Sequence, residues 1–386
     1  VLHIIGSLGM GGAETWLLGL LQHWRREGVD APQFDFIATS GMPGIFDNEV
    51  RALGGRVFYL RYGRWNLIQF ILNFRRILKQ GNYMAIHDHQ GWVSGWHFLM
   101  GAGLLPPIRV AHTHIAAFEI LNLTAGRRVL AGIGRRLISR FATHIVSTSR
   151  QLMAEYGFDA PRFDDIHKAA LYCGFDPSRF RGDPAAAKAS VCQEFGWPLD
   201  SKIILFAGRV DAFPDLAHPK NWKNSNFATS VGIECARRDP RIRMLFAGAL
   251  SPTVPILERR ISEGGLSGRI RFANIRRDIE RLMLASDVLL FPSRAEGLGM
   301  VAVEAQAAGL PVLASDTVPR ECVIVPELVR FESLDSSPEK WATALLEQAS
   351  QPRNVEAANK LAVESAFSIQ NSAVALTRLY RDGKLH

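Results

Sequence analysis

No stretch of this sequence approaches the roughly 20 mainly apolar residues that cross a bilayer as a helix. The nearest, Gly91 to Pro107, is uncharged, but it holds Ser94, His97 and internal glycines and ends in Pro106-Pro107. It is expected to form a buried helix. Cysteine is scarce: Cys173, Cys192, Cys235 and Cys322 stand apart, with no C-x-x-C and no Cys/His ligand spacing. That scatter argues against a zinc site, a redox pair and a secreted disulfide scaffold, and favours a reducing compartment. No basic segment followed by an apolar one opens the chain, which begins on the apolar run Val1 to Ile5. The expectation is a cytoplasmic protein. What is present is ordinary globular usage, 47% hydrophobic and 21% charged over 386 residues, enough for two domains that each bury a core.

Acidic residues are nearly missing from one region. Residues 51 to 150 carry 14 bases and 2 acids, whereas residues 1 to 50 and 301 to 350 are net acidic, so the overall charge of +8 is concentrated in the first half. Within it, Phe58-Tyr59-Leu60-Arg61-Tyr62-Gly63-Arg64-Trp65 leads into Trp65 to Lys79, where Leu67, Phe70, Ile71, Phe74, Ile77 and Leu78 recur at helical spacing beside Arg75, Arg76 and Lys79. Two readings stay open: a solvated basic face over ordinary core contacts, or a surface that docks on anionic lipid at the inner membrane face. No nucleic-acid recognition module is visible.

Apolar, β-branched runs alternate with helix-length segments. In the first half they are Val1 to Ile5, Phe34 to Thr39, Arg56 to Leu60, Met84 to Asp88, Arg109 to His112 and Thr143 to Ser147. In the second they are Lys202 to Ala207, Arg243 to Ala247, Arg269 to Ala273, Asp287 to Pro292 and Pro311 to Ser315. Near-continuous apolar strands of this kind belong to parallel sheets covered on both faces. The pattern restarts near residue 200, and Gly174 to Asp200, rich in Pro, Gly, Asp and Ala, is taken as the crossing. The fold class is therefore α/β, with Rossmann-like domains at 1–175 and 176–365 facing a central cleft, and a helix in 366–386 that can return to the first domain.

Two segments carry chemistry. The first strand runs into Gly6-Ser7-Leu8-Gly9-Met10-Gly11-Gly12-Ala13-Glu14 and then an apolar helix. Such a loop either makes a tight turn or lets backbone N–H groups approach a phosphate. Its spacing is not the G-x-G-x-x-G of dinucleotide binders. The second segment is Phe291-Pro292-Ser293-Arg294-Ala295-Glu296-Gly297-Leu298-Gly299-Met300-Val301-Ala302-Val303-Glu304-Ala305. A strand ends at Pro292, a glycine loop follows, and an Ala-rich helix runs to about Ala308, with Glu304 about two turns in. Carboxylates accept from sugar hydroxyls while amides at the helix start bind an anion, a combination suited to a polyhydroxylated, phosphorylated ligand. The plainer alternative makes Glu296 a helix-start charge and Glu304 a surface residue.

The second segment resembles the E-x7-E motif of retaining GT-B glycosyltransferases. The whole chain is similar to glycosyltransferase family 4, especially its members that build bacterial polysaccharides. The likeness extends through Gly11-Gly12-Ala13-Glu14, His87-Asp88-His89, Ala111-His112-Thr113, Val146-Ser147-Thr148-Ser149, Gly208-Arg209 and Lys223-Asn224. It implies a nucleotide-sugar donor, UDP-sugar foremost, and a saccharide or lipid-linked saccharide acceptor in cell-surface polysaccharide synthesis. By that resemblance Glu296 meets the sugar hydroxyls and Glu304 the ribose. The amides of Gly297, Leu298 and Gly299 lie against diphosphate and sugar, and Arg209 with Lys223 neutralises the departing diphosphate. Gly12 approaches from the other domain, and His112 stands at the reaction centre. His87, His89 and His114 are expected as acceptor-site or loop-shaping residues.

Three departures qualify the likeness. Asp211 to Trp222 is an insertion, so both Lys220-Asn221 and Lys223-Asn224 match the basic motif; Lys223 is preferred because Phe227 follows at the family's spacing. Cys173-Gly174-Phe175-Asp176 replaces the usual Asn-Gly-Ile-Asp turn, and Arg294 has no assigned role. No D-x-D motif presents paired carboxylates to a divalent ion, and Arg209 with Lys223 can supply its charge. Transfer is therefore expected to need neither metal nor cofactor. Runner-up activities are a nucleotide-sugar epimerase or a phosphorylase, the latter without a visible pyridoxal-phosphate lysine motif. A two-lobed sugar-binding protein is the non-enzyme alternative.

Overall fold

The computed structural model describes residues 1–9, 11–29, 31–114, 123–215 and 217–384. Met10, within the glycine loop, and Leu216, within the insertion, lie outside the described residues. The chain divides into two compact units, Val1–Asp176 with Ala366–His386, and Pro177–Ser365.

The first unit is built on seven parallel strands, β1 (Leu2–Ile5), β2 (Asp35–Ala38), β3 (Val57–Tyr59), β4 (Ala85–Asp88), β5 (Ile108–Thr113), β6 (His144–Ser147) and β7 (His167–Ala170). Their order is β3-β2-β1-β4-β5-β6-β7. Every residue of β1, β2, β4 and β6 is buried, as expected of strands covered by helices on both faces. One core cluster gathers Leu2, Ile4, Ile37, Phe70, Phe74, Phe98 and Ile145. Phe74 is fully buried, and truncating a side chain of that kind to alanine costs roughly 3–5 kcal/mol. The helix Ile369–Asp382 starts on a Ser368 cap that accepts from the Asn371 amide. It lies in this unit, where Trp16 of the helix Gly12–Glu27 donates Nε1–H to Ser372 Oγ at 2.7 Å.

The second unit carries six parallel strands, β8 (Lys202–Ala207), β9 (Ile242–Ala247), β10 (Ile270–Phe272), β11 (Val288–Phe291), β12 (Val312–Ser315) and β13 (Val329–Glu332). Their order, β10-β9-β8-β11-β12-β13, repeats the doubly wound pattern of the first six strands of the first unit. In such sheets the chain order reverses beside the first strand, between β1 and β4 in one unit and between β8 and β11 in the other. Loops leaving the C-terminal ends of those strands border a crevice that suits ligands.

The structure corrects the sequence reading in four places. Strands β7 and β13 were not expected; both lie at sheet edges, and their half-exposed residues include Lys168 and Arg330. The stretch taken as a crossing contains a helix, Pro184–Phe195, started by Pro184 and by Asp183, whose side chain accepts from the Ala185 amide. The helix expected across Gly91 to Pro107 is only Ser94–Met100, because Gly103 adopts a left-handed φ of 82° that ends regular structure. Glu304 is the fifth residue of the helix Met300–Ala307, one turn in rather than two.

Candidate active site

In the second unit the loops after β8 and β11 converge. Asp211, buried in the first loop, organises it: its carboxylate accepts from the Lys223 amide at 3.0 Å, the Ser225 amide at 2.8 Å and Ser225 Oγ at 3.0 Å. Its carbonyl accepts from Ser251 Oγ at 2.7 Å and Thr253 Oγ1 at 2.6 Å. Asn224 then turns left-handed at φ 58° to start the helix Ser225–Arg238. Pinned in this way, Lys223 extends its ammonium to Glu296 Oε1 at 2.5 Å, with both side chains only partly exposed. Lys220 instead is exposed, its ammonium 6.0 Å from the Phe213 ring centroid. Arg209, two residues beyond β8, lies over the Trp222 ring at 5.9 Å, within cation–π reach.

The loop after β11 is tied to its surroundings through backbone groups. The Ser293 carbonyl accepts from Thr317 Oγ1 at 2.7 Å and also from Ser315 Oγ. The Arg294 amide donates to the Trp222 carbonyl at 2.7 Å, which joins the two loops and gives Arg294 a structural part. Leu298 is buried and anchors the turn. Gly299 has φ 93°, and a Cβ there would press on Phe291 at 3.0 Å and Val318 at 3.1 Å, so only glycine fits this helix cap. The amides of the Gly297–Gly299 turn thus sit where an eight-residue helix begins.

Glu304 follows on that helix. Burial pushes its carboxyl up to about 7, offset in part by Arg179 and reinforced by Glu280. Arg179 is itself engaged with Glu280 at 3.1 Å. Among the described residues no cation pairs with Glu304, so its charged form lacks a partner that hydroxyl donors of a ligand can supply.

In the first unit, Gly12 opens the helix Gly12–Glu27, and a Cβ built on it meets nothing within 4 Å. The open space is not reserved for packing. His112 is fully buried in β5, with Nδ1 3.0 Å from His87 Nε2. Its ring lies edge-on to Trp16 and 3.8 Å, centroid to centroid, from His114. Burial and the neighbouring imidazoles His114, His87 and His89 hold its pKa well below the usual histidine value, so the ring is neutral. His87 and His89 are buried in the same cluster, and His3, which the sequence reading passed over, completes it. Two trios, His3 with His87 and His89, and His89 with His112 and His114, keep their ligand-type nitrogens within 4.8 Å of one another.

The basic region shows a different surface. On the helix Leu67–Gly81, Ile68 and Leu72 are exposed at 76% and 56% and share a face with Arg76 and Lys79. Trp65, 84% exposed, precedes them and carries Arg64 4.4 Å from its ring. Arg75 does not belong to this free face: it donates to the carbonyls of Met100 at 3.1 Å and Ala102 at 2.9 Å. No helix among the described residues is long and apolar enough to cross a membrane.

Sequence reasoning missed Asp211, His3 and Tyr380, which contacts His87. The only signal for Asp211 was a carboxylate beside a strand end with two small hydroxyl residues downstream; nothing local marks Tyr380, nearly 300 positions from its partner.

Comparison with known proteins agrees with this architecture. Residues 10–179 match the family described as Glycosyltransferase Family 4, and residues 201–350 match the one described as Glycosyl transferases group 1. The chain is 28% identical over 383 residues to EpsF of Bacillus subtilis (strain 168), which carries a provisional glycosyltransferase name, covering 98% of this chain and 96% of that one. It is 26% identical over 407 residues to D-inositol 3-phosphate glycosyltransferase of Mycobacterium tuberculosis, covering 97% and 80%. Among solved structures, Anabaena HepE, crystallised with UDP and glucose, superposes with a TM-score of 0.75 at 18% identity, covering 99% of each chain. WaaG, a glycosyltransferase involved in lipopolysaccharide biosynthesis, gives 0.70 at 15% identity, covering 99% of this chain and 100% of that one. With two family matches side by side, full-length relatives and GT-B neighbours, the chain belongs to the family 4 glycosyltransferases of GT-B fold.

Proposed function

We propose that this glycosyltransferase moves a sugar from a nucleoside-diphosphate sugar, with UDP as the favoured nucleotide, to a saccharide or lipid-linked saccharide acceptor. We assign it to cell-surface polysaccharide synthesis, on the cytoplasmic side of the membrane, with retention of anomeric configuration and without a metal. The observation that carries this reading is the convergence of Lys223, Glu296 and Arg209 at the β8/β11 crevice, beside the Gly297–Gly299 turn. HepE, with the same fold, was crystallised with UDP-glucose and with UDP, which supports that nucleotide.

The chemistry follows from the residues. As the bond to the anomeric carbon breaks, charge grows on the β-phosphate, and prealigned Arg209, Lys223 and the amides at the Gly299 helix start stabilise it more than they stabilise the bound donor. A diphosphate drawing Lys223 towards itself releases Glu296 for the sugar hydroxyls, so the ion pair is exchanged for two ligand contacts rather than lost. Glu304 takes the ribose hydroxyls. No carboxylate is assigned as a covalent nucleophile; the leaving phosphate itself takes the acceptor's proton on the face it departs from. Gly12 and His112 in the first unit are assigned to the diphosphate and to the reacting sugar.

The exposed Trp65, Ile68 and Leu72 with Arg64, Arg76 and Lys79 suit contact with an anionic lipid surface, where a lipid-linked acceptor resides. The test is an NMR assay of UDP-sugars with simple glycoside and lipid-linked acceptors, in EDTA, that reads the anomeric proton of the product. An α-linked product from an α-linked donor is expected. An inverted product, or turnover that depends on added manganese or magnesium, would contradict it.

A further inference from the structure

The imidazoles of β1, β4 and β5 are arranged as two hydrogen-bonded rows. In one, Tyr380 Oη lies 2.5 Å from His87 Nδ1, and His87 Nε2 lies 3.0 Å from His112 Nδ1. In the other, His3 Nδ1 meets His89 Nε2 at 2.9 Å and His89 Nδ1 meets His114 Nε2 at 2.8 Å. The rows stack on each other, with ring centroids 4.3 Å apart for His87 and His89 and 3.8 Å for His112 and His114.

Ring geometry decides whether these nitrogens suit a metal or one another. Within the rows the rings are tilted by only 24° for His87 with His112, 16° for His3 with His89 and 30° for His89 with His114. Their centroids are 5.1, 5.3 and 5.0 Å apart, about the N···N distance plus the two ring radii. Each lone pair is therefore aimed along the line to its neighbour's nitrogen, head on. Metal ligands instead aim at a common point off that line.

A neutral imidazole carries one donor and one acceptor, so a row of them has a direction. The Tyr380 hydroxyl has no other hydrogen bond among the described residues, and its helix packs it against Phe34 and His3. If it accepted from His87, its own O–H would be buried without a partner and His112 would end the row with an unpaired lone pair. If it donates, His87 Nδ1 accepts, His87 Nε2–H donates to His112 Nδ1, and one group alone is left over, the His112 Nε2–H. That nitrogen is buried and has no partner among the described residues. The second direction leaves one unmet group instead of two and is favoured.

We propose that Tyr380 and His87 are positioning residues that hold His112 in its Nε2–H tautomer, so that it offers a hydrogen-bond donor to an acceptor oxygen of the bound sugar or phosphate. This rests on the reading of His112 as a residue of the transfer site. A donor so placed strengthens as negative charge develops on the oxygen it faces, whereas the opposite tautomer would present a lone pair to it. His112 is then a donor rather than a general base.

The test reads the tautomer directly. In protein labelled with 15N-histidine, long-range proton–nitrogen correlation at neutral pH should show His112 with a protonated Nε2 and an unprotonated Nδ1. Tyr380→Phe keeps the ring packing and removes the donor; His112 should pass to a mixture or to the Nδ1–H form. With it kcat should fall about tenfold, the worth of one ordinary hydrogen bond, at little change in KM. His87→Gln, whose amide can accept from Tyr380 and donate to His112, should keep the Nε2–H form. An Nδ1–H His112 in the parent protein, or an unaltered tautomer in Tyr380→Phe, would overturn the proposal. So would one equivalent of zinc shifting together the nitrogens of either trio, His3 with His87 and His89, or His89 with His112 and His114. The tautomer is read on the resting protein, so it stands or falls apart from sugar transfer: an inert parent with the expected tautomer would count against the proposed function alone.

Discussion

Replacing Glu304 by Gln should make the protein more stable at pH 8 and leave it unchanged near pH 4. The carboxyl sits near 7 in the folded protein against an ordinary 4.5, because burial disfavours its charge. A group whose folded value is raised binds more protons folded than unfolded between those two values. Stability therefore declines as pH rises from about 4.5 to about 7 and is level above. At about 1.4 kcal/mol per pH unit the full span is about 3.5 kcal/mol, an upper bound because the side chain keeps some contact with solvent. For a unit of this length each kcal/mol moves Tm by about 2–4 °C. Glu304→Gln should raise the melting temperature of the second unit by several degrees at pH 8. A saturating nucleoside diphosphate should shrink the difference if, as proposed, its ribose hydroxyls donate to the carboxylate. Scanning calorimetry of both proteins from pH 4 to 8 measures this, and a Tm difference that does not change with pH would refute it.

Other outcomes follow from the same geometry. His112→Ala should keep most nucleotide affinity and lose most turnover in steady-state kinetics, as for an interaction made mainly in the transition state. Transfer should survive EDTA if, as proposed, Arg209 and Lys223 supply the positive charge at the diphosphate; loss of activity restored by manganese would show that charge to be insufficient. Liposomes containing anionic lipid should retain the protein at low salt and release it as salt rises. Trp65→Ser with Arg76→Gln and Lys79→Gln should cut that retention, with unaltered circular dichroism. Arg75→Gln should instead lower stability, since it removes two carbonyl contacts.

Much of this was legible in the sequence, for a physical reason. Central parallel strands bury every side chain, so β11 stood out as an unbroken apolar run and β1 and β2 as runs broken by one polar residue each. The edge strands β7 and β13 bury only part of theirs and carry charge, so that signal vanished. The candidate site was legible where backbone geometry dictates the residue: Gly299 must be glycine for its positive φ, and a glutamate lies on either side of it. Spacing to Phe227 favoured Lys223 over Lys220, but what sets the two apart in the structure, the folding of the loop around buried Asp211, had no local signal. His87, His89, His112 and His114 were visible one at a time, but their rows exist only across strands, with His3, and through Tyr380 of the last helix, a relation between distant positions.

The central claim, that the second unit binds the diphosphate of a nucleotide donor through Arg209 and Lys223, is tested most directly by isothermal titration of UDP into the parent protein and into Arg209→Ala and Lys223→Ala. The parent should bind, each variant should bind more weakly, and the Lys223 variant should also feel the loss of the partner that Glu296 holds at 2.5 Å. Full-strength binding by both variants, or no binding of UDP or any other nucleoside diphosphate to the parent, would contradict the account.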